Sequence, residues 1–243
     1  MSKLSDKIRK IGKTEPAPMG FAAVATREKP ATLLCVVRLA DGGKAAEAAS
    51  NGADIVIVEE AAKLKGLDKA DGAVVGVSGE FDQEAARELR KSGVDFIVVP
   101  GAAAPAAGLL EEKVGRVLAV AEDADDTTLR LIGDLGLDAL LISAPELPLT
   151  VERLLAVRRV SVLAHTALLV AVPADIDGVS LRLIRDSGAA GVVIDDAGSV
   201  GALKERITGL PARSKAKEEK REPLLPLQSS GYDDDDDDDD WDD

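Results

Sequence analysis

The sequence predicts an α/β fold in which eight parallel strands close into a (β/α)8 barrel, and three observations carry that prediction. The first is a unit that recurs four times, in which a helix-like run ends in Gly, passes an acidic or small residue, and enters a short apolar burst. The copies begin Gly52-Ala-Asp54, Gly93-Val-Asp95, Gly136-Leu-Asp138 and Gly188-Ala-Ala-Gly191, a self-similarity at a spacing of roughly 40–50 residues. Glycine at the end of a helix takes the left-handed conformation without a Cβ penalty, so the chain turns directly into a strand. The second observation is that the bursts (Ile55–Val58, Phe96–Val99, Ala139–Ile142, Val192–Ile194) are apolar on both faces, as parallel strands covered on both sides require. The third is that four further apolar runs alternate with these, giving eight strands joined by helices and hence right-handed crossovers. An open doubly wound sheet is the alternative topology, and the repeat of strand–helix pairs favours closure.

The elements follow in order. Leu4, Ile8 and Ile11 recur at helical spacing opposite Lys and Arg, so Ser2 to Ile11 is a short amphipathic helix, either a lid on the barrel bottom or a docking helix. A proline-punctuated connector, Gly12 to Pro30, completes an N-terminal segment of residues 1–31. The barrel spans residues 32–211. Its strands are expected at Thr32–Val37, Ile55–Val58, Ala73–Val77, Phe96–Val99, Arg116–Ala121, Ala139–Ile142, Leu168–Val172 and Ala189–Ile194. Helices are expected over Lys44–Asn51, Asp82–Ser92, Asp126–Leu135, Thr150–His165, Gly178–Ser187 and Val200–Thr208, with short turns within 61–72 and around Leu109–Lys113. Asp82, Asp126 and Asp177 stand where helix N-caps belong. Gly209-Leu-Pro211 is a stop signal.

Residues 212–243 are a charged linker and a poly-Asp tail: Tyr232, eight aspartates from Asp233 to Asp240, Trp241 and two more. Such a density of like charge cannot fold by itself. Most of the net charge of −14 lies in this tail, so the body is nearly balanced. With 2% aromatic residues the core must be built from small aliphatic side chains. The single cysteine, Cys35, excludes an internal disulfide and suits a reducing cytoplasm. The N-terminus has no signal-peptide core, and no apolar run reaches the roughly 18 residues needed to span a membrane.

In a parallel barrel, ligands meet the C-terminal strand ends. Carboxylates dominate there, and Glu59, Glu122, Asp175 and Asp195 are the candidate catalytic acids, with magnesium ligation as an alternative role for the same four. Some acids at these positions are explained by helix capping alone. No lysine occupies a strand end, so a Schiff-base mechanism lacks its nucleophile. The only histidine, His165, closes a helix, and Cys35 is mid-strand, so nucleophile–histidine pairs and histidine-rich metal sites are excluded. After strand eight, Gly198, Ser199 and Gly201 open a helix and form half of a phosphate site, although capping accounts for them almost as well.

The helix, Gly-Ala/Val-Asp, apolar-strand pattern over residues 32–209, as in Ala86-Arg-Glu-Leu-Arg-Lys-Ser-Gly-Val-Asp95, resembles the aldolase-type and phosphate-binding TIM-barrel superfamilies. The resemblance implies fold, not activity. Two functions are therefore expected to compete. One is a lyase- or isomerase-type enzyme acting through strand-end carboxylates on a phosphorylated or carboxylated metabolite. The other is a non-catalytic scaffold whose acidic tail, anchored by Tyr232 and Trp241, captures a basic protein surface. Direct nucleic-acid binding by the tail is excluded, because phosphate and carboxylate repel.

Overall fold

The computed structural model describes residues 2–11, 32–59, 70–121, 123–143 and 147–211. The Gly12–Pro30 connector, residues 61–69, Glu122, Tyr232 and Trp241 lie outside them. The described residues fall in one compact unit, Met1–Ala212.

Eight strands form a closed parallel barrel in chain order. They are β1 (Leu34–Leu39), β2 (Ile55–Val58), β3 (Val74–Ser78), β4 (Phe96–Val99), β5 (Gly115–Val120), β6 (Ala139–Ile142), β7 (Ala167–Ala171) and β8 (Ala189–Ile194). Closure is made by β1 against β8, with Leu34 opposite Gly191 and Val37 opposite Ile194. Around and below the sheet lie α1 (Lys3–Arg9), α2 (Ala45–Ser50), α3 (Gln83–Lys91), α4 (Asp126–Asp134), α5 (Val151–Ala164), α6 (Gly178–Asp186) and α7 (Val200–Gly209). The short helix expected around Leu109–Lys113 is instead a 3-10 turn at Ala106–Leu110. Within it Gly108 lies so close to the Phe81 carbonyl that a Cβ would stand 2.6 Å from the oxygen. β1 also begins two residues later than expected and runs on to Leu39.

Period-two alternation divides the apolar residues into two shells. Leu34, Val36, Ile55, Ile57, Val98, Val117, Leu141, Leu169 and Val193 fill the barrel lumen. Cys35, Val37, Val56, Val58, Leu118, Leu140 and Val192 face the helices. Phe96 is the one aromatic side chain of the lumen cluster. Glycines on both neighbouring strands make room for it: a Cβ at Gly76 of β3 would overlap the ring, and one at Gly115 of β5 would meet the Phe96 Cβ at 2.7 Å.

The four repeat glycines all have positive φ: 98° at Gly52, 89° at Gly93, 64° at Gly136 and 112° at Gly188. The aspartate two residues on does a second job. Asp54, Asp95 and Asp138 each donate their own amide to the carbonyl of Cys35, Val75 and Arg116. Each then accepts the amide of that same residue on its carboxylate, at 2.9, 3.0 and 2.8 Å. These closed pairs begin the even strands at the N-terminal end of the barrel. There α1 meets them: Lys3 pairs with Asp95 at 2.8 Å, Lys7 approaches Asp54 at 3.7 Å, and the Ser5 hydroxyl bonds Asp138. Leu4, fully buried, enters the bottom of the lumen cluster. The amphipathic N-terminal helix is a barrel lid.

Candidate functional site at the barrel mouth

At the opposite end, the same alternation selects which strand-end residues face inward. After Leu34 and Val36 on β1 comes Arg38; after Ile55 and Ile57 on β2 comes Glu59; after Val193 on β8 comes Asp195. These three strands are neighbours, so one cation stands between two carboxylates. Arg38 makes a bidentate bridge to Asp195, Nε to Oδ1 at 2.8 Å and Nη2 to Oδ2 at 2.9 Å, while Glu59 Oε1 lies 3.7 Å from Nε. Hydrogen bonding to Asp195 raises the Arg38 pKa further above its already high ordinary value, with burial opposing and the charges of Asp195 and Glu59 assisting. Glu59 and Asp195 are more than half exposed. They sit at a solvent-facing mouth, not in a sealed core.

Asp175 is exposed on the loop after β7. That loop is pinned from α7 by Arg206 Nη1, which donates to the carbonyls of Ala174 at 3.1 Å and Ile176 at 2.6 Å. Glu122 lies outside the described residues. Of the four candidate acids, the structure therefore brings Glu59 and Asp195 together at Arg38. Among the described residues, no group of three or more His, Cys, Asp or Glu is arranged to hold a metal ion. A magnesium ion at Glu59 and Asp195 would have to replace the guanidinium already bound there.

Gly198 and Ser199 close a 3-10 turn, Ala197–Ser199, that leads into α7. Asp196 occupies its donors: the Gly198 amide at 3.1 Å and the Ser199 hydroxyl at 2.5 Å. These bonds, the Ser199 hydroxyl first, hold the Asp196 carboxyl below the usual aspartate range. A phosphate would compete with a carboxylate for the same donors. Gly201 follows in the first turn of α7.

Two of the three expected caps are caps. Asp82 accepts from Ala85 at 2.7 Å, and Asp177 accepts from Val179 and Ser180 at 2.7 and 2.9 Å. For α4 the cap is Asp125, bonded to the amides of Thr127 and Thr128 at 2.9 Å. Asp126 turns outward to Arg159 of α5 at 2.6 Å. A run of two aspartates left the choice open to a one-residue shift, and the pairing with Arg159 decided it.

Arg38 and Asp195 form the polar end of a cavity of about 830 Å³, inside the range of roughly 300–1,000 Å³ usual for small-molecule sites. It crosses the mouth to the ends of β5 and β6, past Pro100, Ala119, Leu141, Ser143, Ala171 and Pro173. In the sequence Arg38 directly follows the first expected strand, Thr32–Val37, and it was not among the candidate acids. Its signal was available, because it is the one basic residue among acids at the strand ends. The apolar wall gave no such signal, since core and cavity aliphatics have the same composition. Cys35 takes no part: it is buried, and desolvation pushes its thiol up to about 12.

With this geometry established, the molecule is a closed parallel (β/α)8 barrel. No protein-family model matches the chain, and no curated protein does. Solved structures match its fold. The 3-keto-L-gulonate-6-phosphate decarboxylase of Vibrio cholerae has a TM-score of 0.55 at 16% identity, covering 72% of this chain and 97% of that one. The tryptophan synthase α-subunit of Pyrococcus furiosus has a TM-score of 0.54 at 14% identity, covering 72% and 96%. QR15, an aldolase, has a TM-score of 0.55 at 11% identity, covering 72% and 96%. At these identities the likeness is one of fold. Among the described residues, no helix is long and apolar enough to cross a membrane.

Proposed function

We propose that the chain is a cytoplasmic enzyme of lyase or isomerase type that acts on a small carboxylated metabolite at the barrel mouth. The observation that carries this reading is the Arg38 guanidinium held between Asp195 and Glu59 at the polar end of the cavity. A substrate carboxylate matches the guanidinium fork in the same bidentate way and takes Arg38 in exchange for Asp195. Asp195, released beside the bound substrate, then removes a proton from the carbon next to that carboxylate. Arg38 stabilises the negative charge that develops. Glu59, on the other side of Arg38, is the second proton-transfer group; Asp175, on the loop after β7, is a further acid, and Glu122 is a candidate on its sequence position alone.

A carboxylate is favoured over a phosphate, because the donors at Gly198 and Ser199 are bonded to Asp196. Magnesium held by the four acids is the weaker alternative, because Arg38 stands where its charge would be. The second reading, in which the barrel is a scaffold, is motivated by the run Asp233–Asp240 with Tyr232 and Trp241 beside it. There the tail captures a basic protein surface, charge speeding encounter and the aromatics slowing release.

One comparison separates the readings. Thermal shift with a panel of short carboxylates, phosphate esters and magnesium is run on the full chain and on a chain lacking residues 212–243. The enzyme reading expects a carboxylate to raise the melting temperature of both forms, and Arg38→Gln to abolish the shift. A panel with no carboxylate response would sink it, and tail-dependent retention of a basic protein would then favour the scaffold.

A further inference from the structure

The cavity does not end at the polar mouth. Beyond the tips of β5 and β6 it continues into the space between those strands and α4, where Leu118, Val120 and Ile142 face Thr128 and Ile132, with Leu147 at the rim. Leu118, Val120 and Ile142 belong to the outer, helix-facing shell of the sheet, so this part of the cavity is a groove between sheet and helix and lies outside the lumen. Small residual exposures trace it. Leu118 keeps 6%, Val120 9% and Ile132 7%, whereas nearby Val117, Leu129 and Leu140 keep none.

The groove has an architectural cause. The close packing of α4 is on α5, whereas α6 and α7 seat directly on β8 and β1. At Gly133 a Cβ would stand 2.5 Å from the Ala164 carbonyl oxygen, so the absent side chain lets α4 lean onto the end of α5. Arg159 of α5 holds the other end of α4, through Asp126 at 2.6 Å and the Ala124 carbonyl at 2.5 Å. Thr128 in the first turn of α4 and Ala124, just before the Asp125 cap, line this gap with small side chains. The Thr128 hydroxyl is already donated to Asp125 at 2.6 Å, so the groove asks nothing polar of a ligand at that point.

We propose that this cavity takes an amphipathic carboxylate, its charged head on Arg38 and its apolar chain in the groove between α4 and the ends of β5 and β6. The inference rests on the carboxylate-binding reading above and adds the character of the substrate's body. Burial of aliphatic surface along Leu118, Val120 and Ile132 supplies the affinity, and the guanidinium fixes the orientation. Because Arg38 is already bridged by Asp195, the head binds by exchange, and neutralising Asp195 strengthens binding.

The test is calorimetry on the full chain with decanoate, succinate and decylamine. Decanoate is expected to bind and to lose at least about tenfold in affinity (about 1.4 kcal/mol) in Ile132→Trp, which fills the groove, and in Arg38→Gln. Asp195→Asn is expected to tighten it, and Leu155→Ser, on the outer face of α5, to leave it unchanged. If Ile132→Trp does not fold, Val120→Phe serves the same purpose. Succinate binding without decanoate binding, or decanoate binding indifferent to both groove fillings, overturns this inference and leaves the carboxylate reading standing. Loss of decanoate binding in Leu155→Ser places the ligand outside the groove and overturns the inference too. Decylamine binding more tightly than either acid, or no binding of either acid, overturns both.

Discussion

At the scale of single residues, the repeat glycines divide by what constrains them. At Gly93 a Cβ would meet nothing within 4 Å, so the cost of substitution there is backbone strain alone at φ 89°. Gly93→Val is expected to lose about 2 kcal/mol, measured by urea denaturation; a variant matching the parent would mean that the turn tolerates an L-residue. Gly188 adds a steric limit, since its Cβ would overlap the Ser161 hydroxyl. Gly188→Ala should therefore cost more than Gly93→Ala in the same assay. The aspartates of the repeat were legible as a spacing, but their use was not. Only the sheet register shows that each carboxylate returns to the residue whose carbonyl its own amide already bonds.

At the scale of elements, α1 and the N-caps give separable contributions. Leu4 is fully buried at the bottom of the lumen, and Leu4→Ala is expected to cost about 2–5 kcal/mol through the cavity it leaves, with the N-terminal end of the barrel affected. If chemical denaturation shows a loss below about 1 kcal/mol, outside the range for buried Leu→Ala changes, the helix is not a lid in solution. The caps predict pH dependence. Asp125, Asp177 and Asp196 are all held below the ordinary aspartate range, through their bonds to Thr128, Ser180 and Ser199 respectively and to neighbouring amides. A depressed folded-state value means that the stabilisation is complete above the unfolded value and is lost as pH falls through the lower folded ones. The triple Asp→Asn variant keeps the capping geometry and should show a shallower loss of stability below pH of about 4. An unchanged acid-unfolding profile would show that these carboxylates titrate alike in both states.

At the scale of the whole molecule, the two ends of the barrel carry different side chains. The N-terminal end carries the closed aspartate–amide pairs and the lid; the C-terminal end carries Arg38, Asp195, Glu59 and the cavity. Cys35 reports on the body between them, since its thiol is buried in the shell facing the helices and pushed up to about 12. Labelling by a disulfide reagent at neutral pH is expected to require opening of the barrel. The native rate should then fall far below the rate in denaturant and follow global stability across the Leu4→Ala and Gly93→Val variants. Rapid labelling of the native protein would place Cys35 in a locally opening segment.

The sequence by itself determined the eight strands, their parallel order, the helix stops and two of the three expected helix caps. These depend on local chemistry: positive-φ glycines, two-sided apolar runs and capping side chains act within a few residues. Alternation along β1, β2 and β8 even placed Arg38, Glu59 and Asp195 on one parity, the inward one. What tertiary structure decided was which of these residues meet. That Arg38 bridges Asp195 across the closure of the barrel depends on β1 pairing with β8, a contact between the two ends of the barrel sequence. That α4 stands over a groove depends on Gly133 lying against Ala164 and Arg159 reaching Ala124. Neither contact leaves a periodic trace, because each is a meeting of side chains and backbone from different elements whose spacing in the chain is set by the fold.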